Sequence, residues 1–68
     1  MNPDKQNIRF GILAVQKGFA TAENIVNALE LQVRENFSTG RHRLIGEILL
    51  EQGYLSEFQI GEILQTLH

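Results

Sequence analysis

FGILAVQKGFATAENIVNAL (residues 10–29) decides the fold, because the chain writes it again as IGEILLEQGYLSEFQIGEIL (residues 45–64). A shift of 35 positions carries Gly11 onto Gly46, Gly18 onto Gly53, Ile25 onto Ile60 and Leu29 onto Leu64. The pairs Phe10/Ile45, Leu13/Ile48, Val15/Leu50, Gln16/Glu51, Phe19/Tyr54 and Thr21/Ser56 are conservative. Two of the identities are glycines at structural punctuation, so shared apolar bias does not account for the match. A repeat of this size implies one supersecondary unit used twice.

Each copy reads as helix, glycine turn, hydroxyl cap, helix. In repeat one the first helix is predicted over residues 8–17. Its apolar residues Ile8, Phe10, Ile12, Leu13, Ala14 and Val15 surround most of the cylinder, a pattern expected of a helix buried on most sides. Gly18 stands where a helix stops with positive φ. Thr21 caps a second helix over residues 22–36, with Glu23 favoured in its first turn by the dipole. Ala22, Ile25, Val26, Leu29 and Val33 give that helix an inward stripe, and Glu23, Asn27, Glu30 and Arg34 take the wet side. Repeat two predicts a third helix over residues 43–52, a stop at Gly53 and a cap at Ser56. Ser56 and Gln59 form a capping box, which marks this start better than the Thr21 start. The last helix carries Ile60, Ile63, Leu64 and Leu67. Gly61 within it costs about 1 kcal/mol relative to Ala, and close approach of another backbone would explain it.

The expected architecture is therefore all-α: four short helices, two tandem helix-turn-helix hairpins packed in one small bundle. Residues 1–68 form one domain, with repeat one at about 8–36, a linker at 37–41 and repeat two at about 42–68. One hairpin cannot bury its apolar face alone, whereas two together can. The stretch up to about Lys5, with Pro3, is expected to fray.

Composition narrows the function. The chain has 68 residues, 43% hydrophobic and 21% charged, with no cysteine and a net charge of −2. So short a chain gains its stability from helix packing, a partner or self-association. No apolar run reaches the length of a membrane span, and the first residues lack the apolar core of a signal peptide. A cytoplasmic protein with no membrane insertion is expected.

The residue types for catalysis occur without the spacing that would assemble a catalytic site. His42 and His68 have no partner at helical spacing, so no metal site and no nucleophilic triad can be built on them. Ser38 and Ser56 read as loop and cap. Glu30, Glu35, Glu47, Glu51, Glu57 and Glu62 fall on predicted polar faces. No catalytic residue, required cofactor or metal is expected, and no glycine-rich phosphate loop with Lys-Ser/Thr occurs. Helix, turn and helix is also the outline of a DNA reader, but the helix starts after Thr21 and Ser56 offer Glu rather than Arg or Lys to phosphates. Nucleic acid is thus a poor partner, and the basic cluster Arg41-His42-Arg43 lies in the linker. Arg9 beside Gly11, and Arg41 and Arg43 before Gly46, suit stacking on a base and gripping a phosphate. Tight helix crossing at the two glycines, with solvated arginines, is the structural alternative.

RFGILAVQKGFATAENIVNALELQ (residues 9–32) resembles the repeated motif of the MshEN family, the N-terminal domain of type II secretion and type IV pilus assembly ATPases. The motif runs Arg-Leu-Gly, then spaced Leu and Gly, an Ala-Leu pair and a final Gln. GEILLEQGYLSEFQIGEILQ (residues 46–65) resembles it too. Arg9, Gly11, Gly18, Ile25, Ala28, Leu29 and Gln32 match in the first copy, with Phe10 for Leu. Gly46, Leu49, Gly53, Ile60 and Leu64 match in the second, where Leu44 replaces the Arg and Leu67 the Gln. The resemblance covers most of the chain after Asn7. It implies a bacterial, non-enzymatic regulatory or adaptor module, in which the motif binds cyclic di-GMP or the domain docks a protein of a secretion, pilus or signalling apparatus. The ligand-binding residues it suggests are Arg9, Phe10, Gly11, Leu13, Gly18, Gln32, Arg43, Gly46, Leu49 and Gly53. Docking is the leading expectation, because one copy lacks the Arg and Gln, and a cyclic di-GMP sensor using Arg9 and the glycines is the alternative. Phe19, Tyr54 and Phe58 are candidates for touching a partner helix, although aromatics beside turns more often plug a core. A homodimer fits the small size and high apolar content.

Overall fold

A computed structural model describes residues 5–40 and 43–67, and of residues 5 and 6 the backbone alone. It contains four helices: α1 (Lys5–Gln16), α2 (Ala22–Ser38), α3 (Ile45–Glu51) and α4 (Glu57–Leu67). The predicted class and element order are those observed. Pro3, Arg41, His42 and His68 lie outside the described residues, and with them the first residues of the stretch expected to fray; of the basic linker cluster only Arg43 is described.

The repeat is visible in backbone hydrogen bonds. Gly18 N donates to Val15 O and Gly53 N to Leu50 O, both at 3.0 Å. Phe19 N donates to Ala14 O and Tyr54 N to Leu49 O, both at 2.9 Å. Each turn is a Schellman stop with glycine at positive φ, 75° and 81° respectively. The next helix then starts in the same way twice. Thr21 Oγ1 accepts from Asn24 N while Asn24 Oδ1 accepts from Thr21 N, and Ser56 Oγ and Gln59 Oε1 make the equivalent pair. The expectation that only Ser56 heads a capping box is corrected: Asn24 reaches back as Gln59 does, since its amide oxygen offers the same acceptor on a shorter stem.

The boundaries also shift. Phe37 and Ser38, placed in the linker by sequence, continue α2, which ends when Thr39 N donates to Glu35 O and Gly40 turns at φ 72°. Arg43, expected to open α3, precedes it. Leu44 is the N-cap residue, with no side-chain acceptor, and its amide donates instead to Glu47 Oε1 at 3.2 Å.

α1 packs against α4, α2 and α3, and α2 packs against α3. Exchanging the repeats turns the α1–α4 contact into the α3–α2 contact, so the two hairpins clasp one another, as a pseudo-twofold pair should. The core contains Phe10, Ala14, Ile25, Ala28, Ile45, Ile48, Leu49, Leu55 and Ile63. Each large aliphatic among them adds about 1.5–3 kcal/mol of burial.

Three burial expectations are overturned. α1 is not buried on most sides: Ile8 is 42% exposed, Ile12 50% and Val15 is exposed as well. On α2 the buried line is Ile25, Ala28 and Gln32, and Val26 and Val33 point to solvent. Gly61 has open space around it, and no backbone approaches there. The physical reason is shared. The helix period specifies an apolar arc, but the four short helices cover only part of each arc. Among the described residues no helix is long and apolar enough to cross a membrane.

Candidate functional site

The residues singled out from sequence fall in different places. Arg9 is exposed on α1. Gly11 is buried, and a Cβ there would lie 2.7 Å from Ile25 Cγ2. Its bareness therefore serves the α1–α2 crossing. Leu13 packs partly buried on the core, Leu49 is fully buried, and Gly18 and Gly53 are the two turn glycines. Phe10 is buried, and its ring stands 3.3 Å from where Gly46 would carry a Cβ.

Gln32 and Arg43 are joined in one internal structure. Gln32, buried, donates from Nε2 to Arg43 O at 2.8 Å and accepts from Asn7 Nδ2 at 3.3 Å. The Arg43 side chain is only 10% exposed. Its Nε and Nη2 donate to the two carboxylate oxygens of Glu35 at 2.9 and 2.6 Å, and Nη1 donates to Glu51 at 2.7 Å. These hydrogen bonds, Glu35 foremost and Glu51 second, hold the guanidinium pKa above the ordinary arginine value. The fork geometry is the one arginine favours for carboxylates. Glu35, expected on a wet face, is thus drawn into a clasp that ties the end of α2 to α3 across the chain's only route between repeats.

An open surface feature lies elsewhere among the described residues. A groove of about 400 Å³ runs between α3 and α4, with Asn7 and Phe10 of α1 at one side. Leu44, Ile45, Gly46 and Leu50 line it from α3 and its N-cap, and Ile60, Leu64 and Leu67 from α4. Glu47 and Glu57 stand at its rim, both exposed. Leu44 is 65% exposed, and Leu50 and Leu64 are exposed too.

The groove is the place where the two repeats differ. In repeat one, Ile25 sits on Gly11 and closes the hairpin. In repeat two, Gly46 meets Phe10 of α1 rather than Ile60, and Ile60 faces the groove. α4 leans on α1 instead of closing on α3. The residues of repeat two that depart from the motif are also here: Leu44 stands for Arg9 and Leu67 for Gln32. Those two substitutions remove a cation and an amide and leave an apolar trough.

Of the ten predicted ligand residues, the structure brings only Phe10 and Gly46 to the groove. Leu44, Leu50, Ile60, Leu64 and Leu67 were missed, as were Glu47 and Glu57. The signal was present in the repeat alignment, as the two positions where a polar motif residue becomes leucine. Of the aromatics, Phe19 and Tyr54 plug the core from the turns, whereas Phe58 is 76% exposed on α4. Among the described residues no group of three His, Cys, Asp or Glu is placed to hold a metal ion. The chain matches no family model, no curated protein and no solved structure, so the MshEN resemblance rests on its motif residues.

Proposed function

We propose that this chain is a non-enzymatic docking module whose binding surface is the α3–α4 groove, and that the groove takes an amphipathic helix carrying basic residues beside its apolar stripe. The observation that carries this reading is an apolar trough rimmed by carboxylates. Residues 44–67 contain Glu47, Glu51, Glu57 and Glu62 and no Lys or Arg. Apolar helix-in-groove contact supplies affinity in such complexes, and flanking charge supplies orientation and on-rate.

The same placement weighs against cyclic di-GMP as the ligand. A rim of carboxylates repels phosphates. Arg43 is committed to Glu35 and Glu51, and Gln32 to the Arg43 carbonyl. Arg9, the first-copy arginine, is exposed on α1, and the space over Gly11 is already filled by Ile25.

An amide-resolved NMR titration of the labelled chain distinguishes the two. The first probe is a synthetic amphipathic helix of Leu and Lys, and the second is cyclic di-GMP. The peptide is expected to move the amides of Leu44, Gly46, Leu50, Ile60 and Leu64, and the nucleotide to move none. Unmoved spectra with millimolar peptide, or nucleotide shifts centred on Arg9, Gly11 and Gln32, would overturn the reading.

A further inference from the structure

We infer that the helix which fills the groove is α1 of a second copy of this chain, giving head-to-tail self-association. The inference rests on the docking reading above and names its partner. Two unpartnered surfaces carry it. One is the trough between α3 and α4. The other is the stripe Ile8, Ile12 and Val15 on α1, at the helical spacing i, i+4, i+7 and on the side of α1 that no other helix covers. A contiguous apolar surface of this kind on so small a protein marks an interaction site.

Charge decides how the surfaces pair. Arg9 flanks the α1 stripe, Lys17 follows the helix, and no acidic residue occurs between Lys5 and Ala22. The trough is rimmed by Glu47 and Glu57. Stripe against stripe would set Arg9 and Lys17 against themselves, and trough against trough would do the same with the glutamates. Stripe against trough brings unlike charges together and buries both apolar surfaces. Such a contact is heterologous: each copy donates α1 to one neighbour and accepts α1 from another, so the assembly closes as a ring or grows as a filament. The two repeats thus hold opposite halves of one interface. Each hairpin is too small to bury its own apolar surface, and the next copy covers the remainder.

Sedimentation equilibrium on the full chain tests this with two variants altered only at exposed positions. The groove variant carries Leu44→Gln and Leu64→Gln and retains the stripe. The stripe variant carries Ile8→Gln and Ile12→Gln and retains the groove. The wild type is expected to gain mass with concentration, and to do so less at high salt. Each variant alone is expected to remain monomeric with an unchanged circular dichroism spectrum. Mixed, they are expected to form a one-to-one dimer and nothing larger, because each contributes the half that the other lacks. If either pair unfolds the chain, the charge reversals Arg9→Glu and Glu57→Lys replace them: each alone is expected to remain monomeric, and the mixture, in which both stripe–trough contacts regain unlike charges, is expected to associate as the wild type does. A wild type that stays monomeric at millimolar concentration would overturn the inference, as would variants that still dimerise singly or a mixture that stays monomeric. A monomeric wild type whose groove amides still move with the Leu/Lys peptide would leave the docking reading standing and remove only self-association. A monomer unmoved by the peptide would remove both.

Discussion

At Gly11 the absence of a side chain is a matter of space, because Ile25 Cγ2 occupies the place a methyl would need. Gly11→Ala is expected to lower stability by about 1–3 kcal/mol, as overpacking does. Ile25→Leu removes the branch at Cβ that causes the clash, so the alanine should cost much less in that background. Urea denaturation of the four proteins of this cycle measures the coupling. Gly61 is the opposite case. Nothing lies near its missing Cβ, so Gly61→Ala is expected to stabilise the chain by up to about 1 kcal/mol through helix propensity alone. A fall in the urea midpoint would show that something approaches this position after all. Both glycines look alike in sequence. The turn glycines were legible because a helix stop followed by a hydroxyl cap announces positive φ, whereas the role of a glycine inside a helix depends on what packs against it.

The helices as elements were readable from their caps and stops, because those signals are local. Thr21 and Ser56 hold equivalent reciprocal boxes, and Thr21→Ala and Ser56→Ala are each expected to cost about 1 kcal/mol. Thermal melts should give nearly equal losses, and a loss confined to Ser56→Ala would contradict the equivalence. Which face each helix buries was less readable. Ile8, Ile12 and Val15 share α1 with Phe10 and Ala14, and periodicity cannot say which of two adjoining apolar arcs meets a neighbour. Gln32 shows the converse. A polar residue entered the buried line of α2 because its amide finds the Arg43 carbonyl and Asn7, a pairing between positions far apart in the chain.

In the whole molecule, the two repeats share their turns and caps and differ in their surfaces. The α2–α3 junction is held by Arg43 between Glu35 and Glu51. Arg43→Ala is expected to lower the melting temperature by more than a surface substitution does, because Glu35, mostly buried, loses the guanidinium that grips both its carboxylate oxygens. Arg43→Lys should recover only part of the loss, since a point charge cannot make the fork. Equal melting temperatures for all three proteins would show that the clasp contributes nothing. The repeat and the fold class could be argued from residues in order along the chain. The groove could not, because it arises where α4 leans on α1 and leaves one side of α3 uncovered, a choice made between packed elements.

Repeat two stands open where repeat one is closed. Methyl-resolved NMR of dilute protein with a soluble nitroxide measures this directly, since the radical broadens methyls in proportion to their exposure. Strong broadening is expected at Leu44, Leu50 and Leu64 and intermediate broadening at Ile60, while Ile25, its counterpart in repeat one, stays as sharp as Ile48 and Ile63. Equal protection of Ile25 and Ile60, with Leu44 and Leu64 sharp, would mean that α4 closes on α3 and that the groove does not exist.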